Sequence, residues 1–550
     1  MSTQWKRRQS IIAKENKRHK QVVSEQLSDS CKETIRSGSY LGKKGYTIPR
    51  ELLSESEQEF LHKDLFVKPV SIGPSYGLPG AEDEGAFPVY RENAKKIYIP
   101  RFYGLERYGL PDKSEITHGE NINVNFPKPL RDYQDKIVDV YMKHISESIC
   151  ENSDIKGNGG ILEVPCGRGK TVMALKIISL LRKKTLIIVH KEFLMNQWIE
   201  RAEEFIPGAK IGKIQGPVFD VEGKDIVIGM LQTLYDRALP ENAFDCFGLT
   251  IIDEVHRIGS EQFSKTLLRV VSPNMLGISA TVDRKDKLTK ILYMFIGPKI
   301  YCEARENDDP VCVRALEYIT SDPSFNETEY DFRGQTKYST MISKLSGFGP
   351  RSDFIVRVLG DLIKEGQSNE TDTQVMVLCH NRSLLKYLYE AIVHRGFASV
   401  GYYIGGMKQS ALQETEGKQI VLATYAMAAE ALDIKSLSVL VMASPKTDIT
   451  QSVGRILRVR HDNPIVVDIV DRHDIFQNQW RQRKTFYRKC NYRILSMDSV
   501  RYQGMSLDWK NDKTWSKVFE PRGSNKKEEG EKSQKKCLIS IKDLDVDDES

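Results

Sequence analysis

No stretch of this chain strings together the ~18 apolar residues that a membrane-spanning helix needs, so a membrane span is not expected. The N-terminal residues are polar and basic and lack the apolar core of a secretory signal, so export is not expected either. Nine cysteines are present, but none stands in a Cys-x-x-Cys pair. That argues against a disulfide framework or a zinc site and for reduced thiols in a cytosol-like compartment. A strong excess of one charge is also missing: 81 Lys and Arg against 75 Asp and Glu leave +6. Nucleic-acid binding therefore cannot be argued from total charge and has to come from local patches. Apolar content is an ordinary 40% of 550 residues. Sizeable cores can be buried, and at roughly 100–200 residues per domain the length suggests two to four domains.

What is present is a change of texture along the chain. Residues 1–25 are rich in cations (Lys6, Arg7, Arg8, Lys14, Lys17, Arg18, Lys20) and read either as a solvated, frayed helix or as an arm touching nucleic acid. Residues 26–127 carry Gly/Pro punctuation and aromatic clusters such as IYIPRFYGLERYG (97–109). They predict a small accessory region, mostly strand and turn. From Pro127, β-branched runs alternate with amphipathic helical stretches: GILEV (160–164), TLIIV (185–189), DIVIGM (225–230), LTIIDE (249–254) and MLGISAT (275–281). A polar stretch at 305–345 interrupts them, and a second set follows: QVMVLC (374–379), IVLAT (420–424), VLVMASP (439–445) and IVVDIV (465–470). Such runs separated by helices predict an α/β chain whose parallel sheets are covered on both faces. The charged, apolar-poor end from about Pro521 predicts disorder.

Two stretches carry chemistry. In VPCGRGKT (Val164–Thr171), Gly167 and Gly169 free the backbone N–H groups to face phosphate oxygens. Lys170 offers a point charge to the β/γ phosphates, Thr171 a hydroxyl to Mg²⁺, and the helix that starts near Lys170 its N-terminus. The first glycine usual in such loops is replaced by Val164. In IIDEVH (251–256), Asp253 and Glu254 end an apolar strand. One can hold Mg²⁺ and the other can polarise the attacking water, while His256 follows at a spacing suited to coupling. A third stretch, QSVGRILR (Gln451–Arg458), sets Arg455 and Arg458 on one face of a helix.

Taken in order, these pieces resemble the superfamily 2 helicases and translocases, whose two RecA-like domains sandwich ATP. The resemblance covers about Pro127–Asp471. LRDYQ (130–134) resembles the adenine-reading element, with Gln134 as reader; LIIVHKEFLMNQW (186–198) resembles motif Ia and GMLQTL (229–234) the next strand-binding element. DEVH resembles motif II, SAT (279–281) motif III and VMVLCHNRSLL (375–385) motif IV. ATYAMAAEALDI (423–434) resembles motif V and QSVGRILR motif VI. Within the superfamily, the PCGRGKT loop and LGISATVDRKDK…FIGPKIY (276–301) look most like the XPB branch, and motifs V and VI like the UvsW branch. The combination also resembles helicases of poxviruses and other large cytoplasmic DNA viruses. Two departures stand out: Arg284-Lys285-Asp286 replaces the Arg-Glu-Asp element of XPB proteins, and Ala431 the glycine of motif V.

The resemblance implies ATP with Mg²⁺ as cofactor. ATP would be bound by Gln134, Pro165, Cys166, Gly167, Arg168, Gly169, Lys170 and Thr171, and the metal by Thr171 and Asp253. Catalysis would fall to Glu254, Gln451, Arg455 and Arg458, the two arginines acting as fingers, and coupling to His256, Ser279, Thr281, Thr424 and Glu430. Lys191, Gln232, Thr233, Asn381 and Arg382, with Thr424, are candidates to grip a strand. The implied partner is DNA, single-stranded or duplex, with RNA or a DNA–RNA hybrid as alternatives, and transcription or replication proteins beside it. The implied place is the cytoplasm (a viral factory or virion) for a viral chain, the nucleus for a cellular one. The expected division is an accessory region 1–126, a first RecA-like domain 127–305, a linker 306–345, a second RecA-like domain 346–505 and a mostly disordered tail 506–550. Beyond the motifs, NQWRQRKTFYRKCNYR (478–493) has no acid and interleaves aromatics with cations. It reads either as a nucleic-acid grip or as a helix packed on the second domain.

Overall fold

The computed structural model describes residues 27–68, 85–147, 158–165, 168–255, 261–280, 282, 288–303, 311–368, 373–430, 434, 436–453, 461, 464–502 and 515–521. Among them are three main sheets, and no helix is long and apolar enough to cross a membrane.

The accessory region is mixed rather than mostly strand and turn. Five short strands, β1 (Tyr40–Gly42), β2 (Gly45–Pro49), β5 (Arg91–Glu92), β6 (Lys96–Ile99) and β7 (Lys113–Ser114), form a sheet in the order β5-β6-β2-β1-β7. Two more, β3 (Phe66–Val67) and β4 (Phe87–Pro88), pair with each other. Helices Asp29–Gly38, Glu55–Asp64 and Arg101–Tyr108 complete it. The aromatic cluster at 97–109 is thus half strand, half helix. Gly104 explains the fit: a Cβ there would meet Tyr46 Cγ at 2.2 Å, so only glycine lets this helix lie on that ring. Buried Glu57 takes hydrogen bonds from Arg107 Nε and Nη2, each at 2.6 Å, and from the Tyr108 hydroxyl.

The region is no separate body. Its apolar side chains, from Ile35 to Tyr108, belong to one continuous core with Ile161, Ile252 and Phe295 of the sheet that follows. Arg101, 5% exposed, donates to the Ser272 and Pro273 carbonyls. The expected border at 126/127 therefore cuts through packed structure.

That second sheet has eight strands: β8 (Gly159–Glu163), β9 (Thr185–Val189), β10 (Ile211–Gln215), β11 (Val218–Phe219), β12 (Ile226–Met230), β13 (Leu249–Asp253), β14 (Asn274–Ser279) and β15 (Lys299–Cys302). Their order is β11-β10-β12-β9-β13-β14-β8-β15, parallel except at the β10–β11 edge. Successive residues face opposite sides: Ile251 joins the core that holds the helix Lys170–Leu181, and Ile252 joins the core shared with the accessory region. Both faces are covered, as a parallel sheet requires.

The third sheet corrects two expected boundaries. It comprises β16 (Cys312–Tyr318), β17 (Gln374–Cys379), β18 (Val400–Tyr403), β19 (Ile420–Thr424), β20 (Leu437–Met442), β21 (Ile465–Asp471), β22 (Arg493–Asp498) and β23 (Ser516–Phe519), in the order β18-β19-β17-β20-β21-β16-β22-β23. β16 lies between β21 and β22, so the stretch read as a linker at 306–345 supplies an interior strand. Helices Pro323–Asn326 and Tyr338–Gly347 follow it and pack into the same core. β23 pairs antiparallel with β22, so the second domain runs past residue 505 into the stretch read as tail.

Candidate nucleotide and nucleic-acid site

In an open α/β sheet, ligands bind beyond the carboxyl ends of the strands. At that edge of the first domain, β13, β14 and β8 are neighbours, with Asp253 opposite Ile278 and Ile278 opposite Leu162. The expected phosphate loop follows β8, and the stretches that resemble motifs II and III lie at the ends of β13 and β14. Motifs distant in sequence thus share one stretch of rim.

Val164, standing where a glycine is usual, is fully buried in the core and donates its N–H to the Ser279 carbonyl at 2.8 Å. It extends β8 by one more bond, so a side chain is accommodated there. Gly169 adopts φ +80° and caps the helix Lys170–Leu181; a Cβ on it would stand 2.3 Å from Gln134 Nε2. Gln134 itself is buried, donating Nε2–H to the Arg168 carbonyl at 3.0 Å and accepting from the Arg131 N–H at 3.1 Å. The expected adenine reader thus lies against the phosphate loop. Two residues outside the expected set join it. The Tyr133 hydroxyl donates to the Arg168 carbonyl, and the Arg168 guanidinium sits 4.2 Å from the Tyr133 ring centroid. Arg168 Nη2 also donates to Glu303 Oε1 at 2.5 Å, reaching the residue just after β15.

Lys170 Nζ donates to Glu254 Oε1 at 2.8 Å, with both side chains mostly buried. The expected phosphate cation and the expected water-polarising carboxylate therefore meet. Glu254 is held in this pose at φ +51°, a left-handed backbone that a non-glycine residue adopts at a cost of about 1–3 kcal/mol. Asp253, only 8% exposed, accepts from its neighbour's N–H through Oδ1 at 2.9 Å and from Trp198 Nε1–H through Oδ2 at 2.9 Å. Burial, with the Glu254 charge beside it, pushes its carboxyl up to about 6, against the pull of Lys170. Trp198 is 2% exposed, and a buried indole N–H needs a partner. It lies in the motif Ia stretch, but the sequence does not show that its partner would be Asp253.

These residues fit a nucleoside triphosphate with a divalent ion. A loop whose glycine admits no Cβ, one lysine, a hydroxyl at a helix N-terminus and a strand-end carboxylate make the donor set. Thr171 and Asp253 would hold the ion, which would neutralise charge on the phosphates. Pro165 precedes the loop and is half-buried.

The strand-gripping candidates gather elsewhere on the same rims. Lys191 follows β9 and Gln232 and Thr233 follow its neighbour β12, where Met230 stands opposite Val189. Thr233 Oγ1 accepts from the Gly216 N–H at 2.9 Å, so this hydroxyl also pins the β10–β11 turn. In the second domain Asn381 and Arg382 follow β17, and Thr424 ends its neighbour β19, opposite Cys379. Arg382 is exposed and donates to the Gly405 carbonyl at 2.8 Å. Ser279 is buried at the end of β14. Glu430 ends the helix Tyr425–Glu430 and Gln451 lies in the helix Thr450–Val453. Cys166, Gly167, His256, Thr281, Arg455 and Arg458 lie outside the described residues.

The basic–aromatic stretch after motif VI resolves as a packing helix, Asp474–Lys489. Arg483 is fully buried and gives two hydrogen bonds to Asp468 of β21, at 2.7 and 2.9 Å, and a third to the Lys446 carbonyl at 3.0 Å. Tyr487 is also fully buried and donates to Asp468 at 3.1 Å, while Trp480 and Phe486 pack at the core's margin. A cation spent on a buried carboxylate is not offered to a phosphate.

Comparison with known proteins finds helicase sequences along most of the chain. Residues 127–284 match the family model described as type III restriction enzyme, res subunit, and residues 355–461 match the helicase conserved C-terminal domain. A protein of Acanthamoeba polyphaga mimivirus, L396, that carries the name of an ATP-dependent RNA helicase is 34% identical over 460 residues, 82% of this chain and 85% of its own. An African swine fever virus protein, QP509L, with the same kind of name is 28% identical over 397 residues, 68% of this chain and 75% of its own. The DNA 3′-5′ translocase XPB2 of Sulfurisphaera tokodaii is 31% identical over 240 residues, 42% of this chain and 48% of its own.

Proposed function

The chain belongs to the superfamily 2 helicases, ATP-hydrolysing enzymes, and on that premise we propose that it is a Mg²⁺-ATP-driven motor whose track is DNA. The observation that carries the motor reading is the Lys170–Glu254 contact beside Asp253. A phosphate cation, a water-polarising carboxylate and a metal ligand converge at one strand-end rim. In this reading a nucleotide's terminal phosphates draw Lys170 away from Glu254, which then faces the attacking water. Arg455 and Arg458 come from the second domain to the developing charge, so hydrolysis needs closure of the two domains. Lys191, Gln232, Thr233, Asn381, Arg382 and Thr424 hold strand phosphates, with His256, Ser279, Thr281 and Glu430 linking closure to grip. DNA is favoured as track by the XPB-like phosphate loop and by the printed name of the Sulfurisphaera tokodaii relative. The names of the viral relatives favour RNA, which is the second reading. Work in replication, repair or transcript release in the cytoplasm of an infected cell fits either.

The test is ATP turnover with single-stranded DNA, duplex DNA, forked DNA and RNA, followed by strand displacement. DNA is expected to stimulate most, and stimulation by RNA alone would overturn the choice of track. Lys170→Ala is expected to abolish turnover with every nucleic acid, because the phosphates lose their main protein cation. Near-normal turnover in that variant would remove the phosphate loop from the mechanism.

A further inference from the structure

The most exposed large apolar side chain described belongs to neither rim set. Phe332 is 88% exposed and Tyr330 56% exposed, on the connection between β16 and the helix Tyr338–Gly347. This segment is built, not slack. Tyr330 pairs antiparallel with Thr336, Lys337 N–H donates to the Glu329 carbonyl at 2.9 Å, and Asp331 N–H to the Gln335 carbonyl at 2.7 Å. Gly334, at φ +75°, turns the tip. Oδ1 of half-buried Asp331 bonds back into the turn, accepting from the N–H groups of Arg333 and Gln335 at 2.9 and 2.8 Å. The approach is tied down by Lys344, which donates to the carbonyls of Ser324 and Glu327 and lies 3.6 Å from Glu329. The result is a miniature hairpin with an aromatic ring at its tip.

Its chemistry and its place both point to a ligand. The Arg333 guanidinium lies 5.0 Å from the Phe332 ring centroid, and Gln335 and Lys337 are exposed beside it. With Asp331 Oδ1 bonded within the turn and Glu329 3.6 Å from Lys344, the tip carries an exposed aromatic ring flanked by Arg333 and Lys337. The root is docked on the strand-end rim of the second domain. The Tyr338 ring lies 6.4 Å from that of His380, the residue before Asn381 and Arg382, and its hydroxyl donates to the Pro445 carbonyl at 3.4 Å. The hairpin therefore rises from the rim that carries the strand-gripping candidates.

We propose that the hairpin 329–337 is a stacking element for single-stranded nucleic acid: an unpaired base lies on Phe332 while Arg333 and Lys337 meet the neighbouring phosphates. A base face stacks on an aromatic whatever its sequence, and a preformed turn loses little entropy on binding. A duplex end keeps its bases paired and stacked and does not engage the ring in the same way. The proposal rests on the motor reading above.

The experiment measures binding of a fluorescently labelled single-stranded oligonucleotide, as DNA and as RNA, and of a blunt DNA duplex, at two salt concentrations. Phe332→Ala is expected to weaken single-strand binding about 5- to 150-fold, nearly independently of salt, and to leave the blunt duplex unaffected. Phe332→Trp is expected to retain single-strand affinity, and Arg333→Ala to reduce the salt slope by ~0.7. The melting temperature is expected to hold in Phe332→Ala, since a solvent-facing ring has little packing to lose. Comparing the DNA and RNA arms shows which strand the ring serves. Unchanged single-strand affinity in Phe332→Ala, an equal loss on the duplex, or a parallel fall in melting temperature would overturn the proposal, the first pointing to a protein contact instead. If the unsubstituted chain binds neither strand nor duplex, the motor reading fails, which is a different result.

Discussion

Asp253 has to satisfy two demands at once. It ends β13 inside the core, and the proposed mechanism asks it to present a carboxylate to a metal ion. Burial alone favours the neutral acid, which binds no metal. The indole of Trp198 and the Glu254 amide supply hydrogen bonds that favour the charged form and fix its direction. Trp198→Phe keeps an aromatic ring in the pocket and removes one of those bonds. Partners that orient a metal ligand are commonly worth ~10–100-fold in metal affinity or activity. The expected outcome is a Mg²⁺ concentration for half-maximal ATP turnover raised by about tenfold or more, with turnover at saturating Mg²⁺ less affected. Binding of Mn²⁺ with a non-hydrolysable nucleotide should weaken in parallel. Coincident metal titrations in the variant and the unsubstituted chain would reduce Trp198 to core filler.

At the scale of elements, the helix Asp474–Lys489 shows how composition misleads. Its cations look alike in sequence, yet Arg481 is exposed and Lys484 half-exposed while Arg483 is wholly buried against Asp468. Removing one partner of such a pair leaves an uncompensated buried charge, at a cost of about 3–5 kcal/mol. Arg483→Ala should therefore lower stability by that order in denaturant unfolding, and Arg481→Ala with Lys484→Ala should change it by less than about 1 kcal/mol. Equal effects from the two would contradict the packing seen here. The same physics explains which strands were legible. TLIIV, QVMVLC and IVLAT are apolar apart from one polar residue at an end, and β9, β17 and β19 begin and end with them. β16 reads CVRALEY and was hidden because an interior strand is not expected to carry a cation. Arg314 is nevertheless buried there, paired twice with Glu365 at 2.7 and 2.8 Å. β22, between β16 and β23, and β23, at the sheet's edge, were hidden for a related reason: RILSMD and SKVF mix polar with apolar residues, and half-exposed strands lose the apolar run. At the candidate site, the identities of Lys170, Asp253 and Glu254 follow from motif order alone. The pairing of Lys170 with Glu254, and the parts played by Tyr133, Trp198 and Glu303, depend on side-chain directions that one-dimensional spacing does not encode.

For the whole molecule the question is how many units unfold. Composition suggests three folded parts, but the cores suggest two. Among the described residues, one set of apolar clusters runs from the accessory sheet through the first eight-stranded sheet, and its buried members end at Ile296. The buried members of the other begin at Val311 and close over β16–β23, with half-buried Phe193 of the first domain packed against both sets. Contiguous cores tend to melt as cooperative units, so calorimetry is expected to resolve two transitions rather than three. Ligand binding labels the first. A nucleotide at ~100 times its dissociation constant stabilises the unit that holds it by about 2.7 kcal/mol, and the phosphate loop, Gln134 and Asp253 all belong to that unit. Arg101→Ala labels the same transition from the accessory side, because it strips the Ser272 and Pro273 carbonyls of their buried donor. Arg483→Ala labels the second. The expected pattern is that nucleotide raises and Arg101→Ala lowers one and the same peak, while Arg483→Ala moves only the other. A third peak that answers to Arg101→Ala and ignores nucleotide would mean that the accessory region folds by itself, and the continuity of its core with the first motor domain would then carry little energy.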